Sequence, residues 1–175
     1  MITDQNYLNW QKKIEENSIF RRVWVFFGIY SILLIYALGF YLFIIGNYRQ
    51  LFLTAVAFVL ARLIISPAIF LFYKKERPYQ KVNFVPPNSP WFFSGLTTKL
   101  NSFPSDHAGS FASIVISLFW LYPIFGLILV PIVVLNGIAR VVLGYHYISD
   151  ILAGWVVGAF AAWAVFAFLV PVLFT

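Results

Sequence analysis

A chain of 175 residues that is 62% hydrophobic and 10% charged, with a mean hydropathy of +0.86, has more apolar side chain than a soluble domain of this size can hide. Lipid is the expected solvent, and the predicted class is an all-α integral membrane helical bundle. The lack of cysteine excludes a disulfide framework, a thiolate metal centre and a thiol nucleophile. The net charge of +6 suits anionic lipid or a phosphate-bearing ligand, and the basic residues flank apolar segments, which argues against nucleic acid.

Residues 1–22 are too polar to span. Tyr7, Trp10 and Ile14, with Leu8, recur at helical spacing, while Lys12, Lys13, Glu15 and Glu16 lie elsewhere on the wheel. That pattern predicts an amphipathic helix in the membrane interface, with a frayed solvated tail as the plainer alternative. It is not the pattern of a signal peptide. Residues 23–175 read as one transmembrane domain of about five spans: 23–46, 51–73, 104–122, 124–143 and 150–174. The second carries Arg62 near its centre and Pro67 beyond it. The fourth is interrupted by Asn136, Gly137 and Arg140. The fifth carries Gly154 and Gly158, which permit close helix contact. Five spans put residues 1–22, the long 74–103 loop and the 144–149 turn on one side. Every polar cluster then converges there.

Three clusters carry chemistry. In Arg140, His146 and Asp150, the four-residue spacing puts the imidazole and carboxylate on one face if a helix begins near His146. A carboxylate beside an imidazole fixes its tautomer and makes the far nitrogen a better nucleophile or base. Arg140 offers a planar fork for phosphate oxygens. In Pro104-Ser105-Asp106-His107, Ser105 and Asp106 read as a plain helix cap, yet a helix N-terminus is also an anion site. In Lys74-Lys75-Glu76-Arg77-Pro78, the lysines read equally as interfacial anchors. Together these groups suit an anion with tetrahedral oxygens and phosphoryl transfer in which arginines and helix amides hold the charge. No metal-ligand spacing is evident, so no metal or other cofactor is expected. From the residues alone, which histidine is nucleophile and which is acid stays open.

The three segments resemble, in order and spacing, the signature motifs of the type 2 phosphatidic acid phosphatase superfamily. Those motifs run Lys, six residues, Arg-Pro; Pro-Ser-Gly-His; and Ser-Arg, five residues, His, three residues, Asp. The resemblance covers roughly residues 60–160, and the Phe103-Pro104-Ser105-Asp106-His107 form is most similar to the undecaprenyl-pyrophosphate phosphatase branch. It implies that His146 is a nucleophile forming a phosphohistidine, Asp150 its orienting carboxylate and His107 the general acid. It implies phosphate contacts from Arg77, Arg140 and Ser105, with Asp106 and Lys74 or Lys75 at the same site. Three positions depart: Phe70 stands where the family has lysine, Asp106 where it has glycine, and Ala139 where it has serine.

The resulting expectation is a multi-pass plasma-membrane enzyme that hydrolyses a lipid phosphate or pyrophosphate without metal. Undecaprenyl pyrophosphate is the first substrate, and phosphatidic acid or phosphatidylglycerol phosphate the second. The alternative is a non-catalytic transporter or lipid-binding protein on the same fold. Resemblance favours an outward-facing site, whereas lysine and arginine outside the spans number nine on the active side against one opposite, a bias that favours the cytoplasm. Arg62 is expected to act structurally: it snorkels, pairs with a backbone carbonyl, or supports Asp150 or Asn136 from beneath the site. Trp91, Phe92 and Phe93 could guide a lipid tail or simply pack in the loop.

Overall fold

The computed structural model describes residues 2–46, 48–87 and 101–174; Trp91, Phe92 and Phe93 lie outside them. The described chain is helical. Helices α1 (Asp4–Glu16) and α2 (Ser18–Val25) lead through a wide π-turn, Phe26–Tyr30, to α3 (Ile32–Ile44). Next, α4 (Tyr48–Val59) continues through a π-helical stretch, Leu60–Ile65, into α5 (Ser66–Phe72). The short α6 (Pro78–Lys81) precedes α7 (Asp106–Leu121), α8 (Pro123–Val142) and α9 (Ile148–Ala164). A final π-stretch, Val165–Leu169, joins α10 (Val170–Phe174).

The wide turn before α5 has a local cause. Pro67 has no N–H to return to the carbonyl four residues back, and Ser66 N–H reaches five residues back to Ala61 instead. Arg62 sits in that wide turn.

Among the described residues, three stretches are long and apolar enough to cross a membrane: Tyr48–Phe72, Pro123–Val142 and Ile148–Val172. Asp106–Leu121 is apolar but has 16 residues, and the stretch expected over 23–46 is divided at Ser31. Large apolar side chains such as Leu63, Ile64, Leu127, Ile128, Val156 and Phe160 face outward, as lipid contact requires.

Helix α7 is the centre of the bundle. It is buried along nearly its whole length, packed by α4, α8 and α9. Its contact with α9 is close because both sides are glycine. A Cβ on Gly154 would lie 2.5 Å from the Ser105 carbonyl oxygen, and one on Gly158 would overlap the Gly109 carbonyl. On another side, Asn136 of α8 donates to the Phe27 carbonyl at 2.7 Å and to Ser31 Oγ at 3.2 Å, clamping the N-terminal helices to α8.

Helix α1 is present as the amphipathic helix the pattern predicts, and its apolar face packs on protein. Tyr7 and Ile14 are buried and Trp10 partly so, while Leu8 is exposed. That face packs on protein: Tyr7 joins Ala108, Val141 and Ile151, and Ile14 joins Val142, Leu143 and Tyr145. Asp4 pairs with Lys81 at 2.8 Å. The amphipathic pattern is present, but the partner it buries against is the α8–α9 turn, because that turn offers its own apolar surface.

Candidate active site

Each of the three clusters is anchored by backbone bonds to another. Ser102 N–H donates to the Lys75 carbonyl at 2.8 Å, Ser105 N–H to the Asp150 carbonyl at 2.9 Å, and Tyr79 N–H to the Gly144 carbonyl at 3.1 Å. Gly144 has φ +75°, the left-handed conformation that lets α8 end and the chain turn toward α9. Arg77 Nη1 reaches the Tyr145 carbonyl at 3.4 Å. Ser105, Asp106, His107, Arg140, His146 and Asp150 are thereby brought together and all buried.

His146 precedes α9, whose first residue is Ile148. Its Nδ1 lies 2.9 Å from the Ser102 carbonyl. A carbonyl only accepts, so Nδ1 carries the proton and Nε2 keeps its lone pair. That Nε2 is buried and has no hydrogen-bond partner among the described residues. Burial, with the Arg77 and Arg140 guanidiniums adding to it, pushes the His146 imidazole well below its usual value, so the ring is neutral near pH 7.

Asp150 plays a different part from the helical-face expectation. Its Oδ2 is 3.9 Å from His146 Nδ1, beyond hydrogen-bond range. The helix begins after His146, so the carboxylate turns back to the free Tyr147 N–H at 2.9 Å. Ser102 Oγ donates to it at 2.5 Å and Lys75 Nζ at 2.6 Å. Ser102 therefore links the two: its hydroxyl holds Asp150 and its carbonyl holds His146.

Ser105 is the N-cap of α7, with Oγ accepting from Ala108 N–H at 3.3 Å. Its hydroxyl proton stays available to an anion. Asp106 corrects an expectation. The motif places it among the phosphate-binding residues, but an ionised carboxylate only accepts and cannot donate to phosphate. Its oxygens face His107, at 3.1 Å from Nδ1, and Arg62, at 3.8 Å. Arg62 therefore supports Asp106, not Asp150 or Asn136.

Arg140 is held from three sides. Nη1 donates to the Gly28 carbonyl at 3.3 Å, Nη2 lies 3.3 Å from His107 Nδ1, and the guanidinium stacks 4.3 Å from the Tyr145 ring centre. Its Nε, and Arg77 Nε, are buried with no hydrogen-bond partner among the described residues. Of the two candidate lysines, Lys75 enters the site and Lys74 is exposed. Ala139, in the place of the motif serine, is fully buried and packed by Gly28.

Sequence reasoning missed Ser102 and Tyr145 as parts of the site. Their only signal was position: Ser102 stands just before the second motif, and Tyr145 is one of the five residues that the third motif leaves open between Arg140 and His146. Separations of 48 and 44 residues in the Ser102 contacts explain why spacing rules did not find them.

Comparison with known proteins agrees with this architecture. The chain is similar to the crystal structure of the first transmembrane PAP2 type phosphatidylglycerolphosphate phosphatase from Bacillus subtilis. The TM-score is 0.57 and the identity 20%, over 98% of this chain and 88% of that one, a likeness of fold. No curated protein matches the sequence. The sequence model of the PAP2 superfamily matches residues 50–172, a span that holds all three motifs. The chain belongs to the PAP2 superfamily.

Proposed function

We propose that this membrane enzyme hydrolyses the phosphate or pyrophosphate of a lipid through a phosphohistidine on His146. The observation that carries the reading is the Nε2 of a buried, neutral His146, which has no hydrogen-bond partner among the described residues, alongside Arg77 and Arg140, whose Nε donors have none among them either. A nucleophile and two guanidinium Nε donors without a hydrogen-bond partner among the described residues, in a buried site, suit a tetrahedral anion.

In the first step Nε2 attacks phosphorus, the bond to the leaving oxygen breaks, and that oxygen takes a proton from His107. In the second, water attacks the phosphohistidine while His107 accepts its proton, and the P–N bond breaks to release phosphate and restore His146. The Ser102 carbonyl supports positive charge on the ring through Nδ1–H. Arg77, Arg140 and Ser105 would hold the phosphoryl oxygens, with Lys75 acting through Asp150 instead of touching phosphate.

Undecaprenyl pyrophosphate is the first substrate, from the form of the second motif. Phosphatidylglycerol phosphate or phosphatidic acid is the second, and the similarity to the Bacillus subtilis phosphatidylglycerolphosphate phosphatase favours the former of these two. Five crossings, with α2–α3 and α7 completing the three long spans, would put the three motifs on one face of the plasma membrane, and the resemblance to lipid-pyrophosphate phosphatases favours the outer face.

The test is phosphate release from these three lipids by purified protein in detergent with EDTA, beside His146→Ala. Release that vanishes in the variant, with acid-labile phosphoprotein in the parent, is the expected result. No release from any lipid by the parent would sink the reading in favour of a transporter or lipid-binding role.

A further inference from the structure

Two residues remain unused by this reaction. Asp106 stands where the superfamily's second motif has glycine, and Arg62 is a cation inside an apolar helix. Buried charges in a membrane protein are costly and persist where they have a partner or a task. Here each is a partner of the other, with Arg62 Nη2 3.8 Å from Asp106 Oδ2. Arg62 Nη1 also donates to Ser110 Oγ at 3.3 Å, and Ser110 Oγ donates to the Asp106 carbonyl at 2.6 Å. Arg62 thus faces the side chain of Asp106 as an ion pair, beyond hydrogen-bond range, and reaches its main chain through the hydrogen-bonded Ser110. The other carboxylate oxygen, Oδ1, accepts from His107 N–H at 3.0 Å and lies 3.1 Å from His107 Nδ1.

We infer that the Arg62–Asp106 pair is a positioning unit for the proton donor, setting the orientation of His107 and balancing its charge. The inference rests on His107 being the general acid. While His107 carries the proton to be transferred, both ring nitrogens are protonated. Nδ1–H then donates to Asp106 Oδ1, and Nε2–H is the proton left to hand over. Arg140 Nη2, 3.3 Å from the same Nδ1, can donate to it only when the ring is neutral with its proton on Nε2; to the charged ring it is a like charge. Asp106 offsets that repulsion. When the proton has gone to the leaving oxygen, Arg62 is the cation that still balances Asp106. A glycine at position 106 would supply neither the acceptor nor the charge.

A leaving-group comparison separates this role from a purely structural one. Phosphatidic acid must expel an alkoxide and needs the proton; p-nitrophenyl phosphate expels a stable phenolate and hardly does. Full-length protein in detergent is assayed on both, with Asp106→Asn, Arg62→Met and His107→Asn. General acid catalysis is worth roughly 10²–10⁴ in rate, so His107→Asn should raise the ratio of p-nitrophenyl phosphate to phosphatidic acid kcat/KM by about that much. Asp106→Asn and Arg62→Met should each raise it by about tenfold. Equal loss on both substrates in Asp106→Asn, or no loss on either, overturns the inference.

Arg62→Met leaves a buried carboxylate uncompensated. Should it fail to fold, the double variant Arg62→Met/Asp106→Asn removes both charges. If the two act as one unit, its ratio matches that of Asp106→Asn alone. A further tenfold rise would show that they act separately and overturn the unit. A parent protein that releases phosphate from neither of these substrates, nor from undecaprenyl pyrophosphate or phosphatidylglycerol phosphate, removes the proposed function and this inference with it. An unchanged ratio in His107→Asn removes the acid assignment. An unchanged ratio in Asp106→Asn beside a shifted one in His107→Asn removes the positioning unit alone.

Discussion

Gly154→Ala tests whether the α7–α9 contact holds the reactive groups in register. A Cβ on Gly154 would lie 2.5 Å from the Ser105 carbonyl oxygen and 2.9 Å from Ala108 Cβ, where ordinary contact begins at 3.4 Å. The shortfall at Ser105 is 0.9 Å, and the obstacle is backbone, which cannot swing away as a flexible side-chain end can. The start of α7 must therefore move off α9 by roughly that distance. Overpacking of this kind costs about 1–3 kcal/mol. The displacement also strikes the Ser105 N–H to Asp150 carbonyl bond, and so the placement of His107 opposite His146. A misplacement of about 1 Å can cost on the order of 10²-fold in rate. Thermal unfolding in detergent and kcat on the preferred lipid check both numbers. Parent-like Tm and kcat in Gly154→Ala would refute the claim that this crossing sets the site. A fall in Tm with unchanged kcat would refute its catalytic half.

Three further outcomes follow from single contacts. Lys75→Met removes the 2.6 Å contact to fully buried Asp150; with Lys75 one-quarter exposed, the loss should be about 1–2 kcal/mol with a marked fall in kcat. Lys74→Met, at an exposed side chain, should stay within about 0.5 kcal/mol, and equal effects would contradict the assignment of Lys75 to the site. Tyr7→Ala removes a buried ring that meets Trp10 and Tyr147 edge to face, at 5.6 and 6.0 Å; it should cost about 3 kcal/mol and expose α1 to protease, whereas an interfacial α1 would show neither. His146 is held below its usual pKa of 6.5, so below that pH the unfolded ring binds a proton that the folded ring does not. Its contribution to stability is complete above pH 6.5 and is lost as pH falls, by up to about 1.4 kcal/mol per pH unit. His146→Gln should flatten that acid-side loss in unfolding measurements, and an unchanged slope would contradict it.

The membrane bundle was legible because composition alone leaves no soluble solution for so much apolar side chain. The convergence of Arg77, Ser105, His107, Arg140, His146 and Asp150 was legible because apolar segments of spanning length force their ends onto alternate faces. Tertiary structure decided how those groups meet. It chose Lys75 over Lys74, gave His146 the Ser102 carbonyl as its nearest acceptor, sent Arg62 to Asp106, and docked α1 on protein. The reason is physical. Helical periodicity and caps are set by neighbours within about four residues, whereas the Lys75–Asp150 contact spans 75 positions and the Ser102–His146 contact 44. Such contacts exist only once small residues such as Gly109, Gly154 and Gly158 let α7 and α9 approach closely enough to close the site.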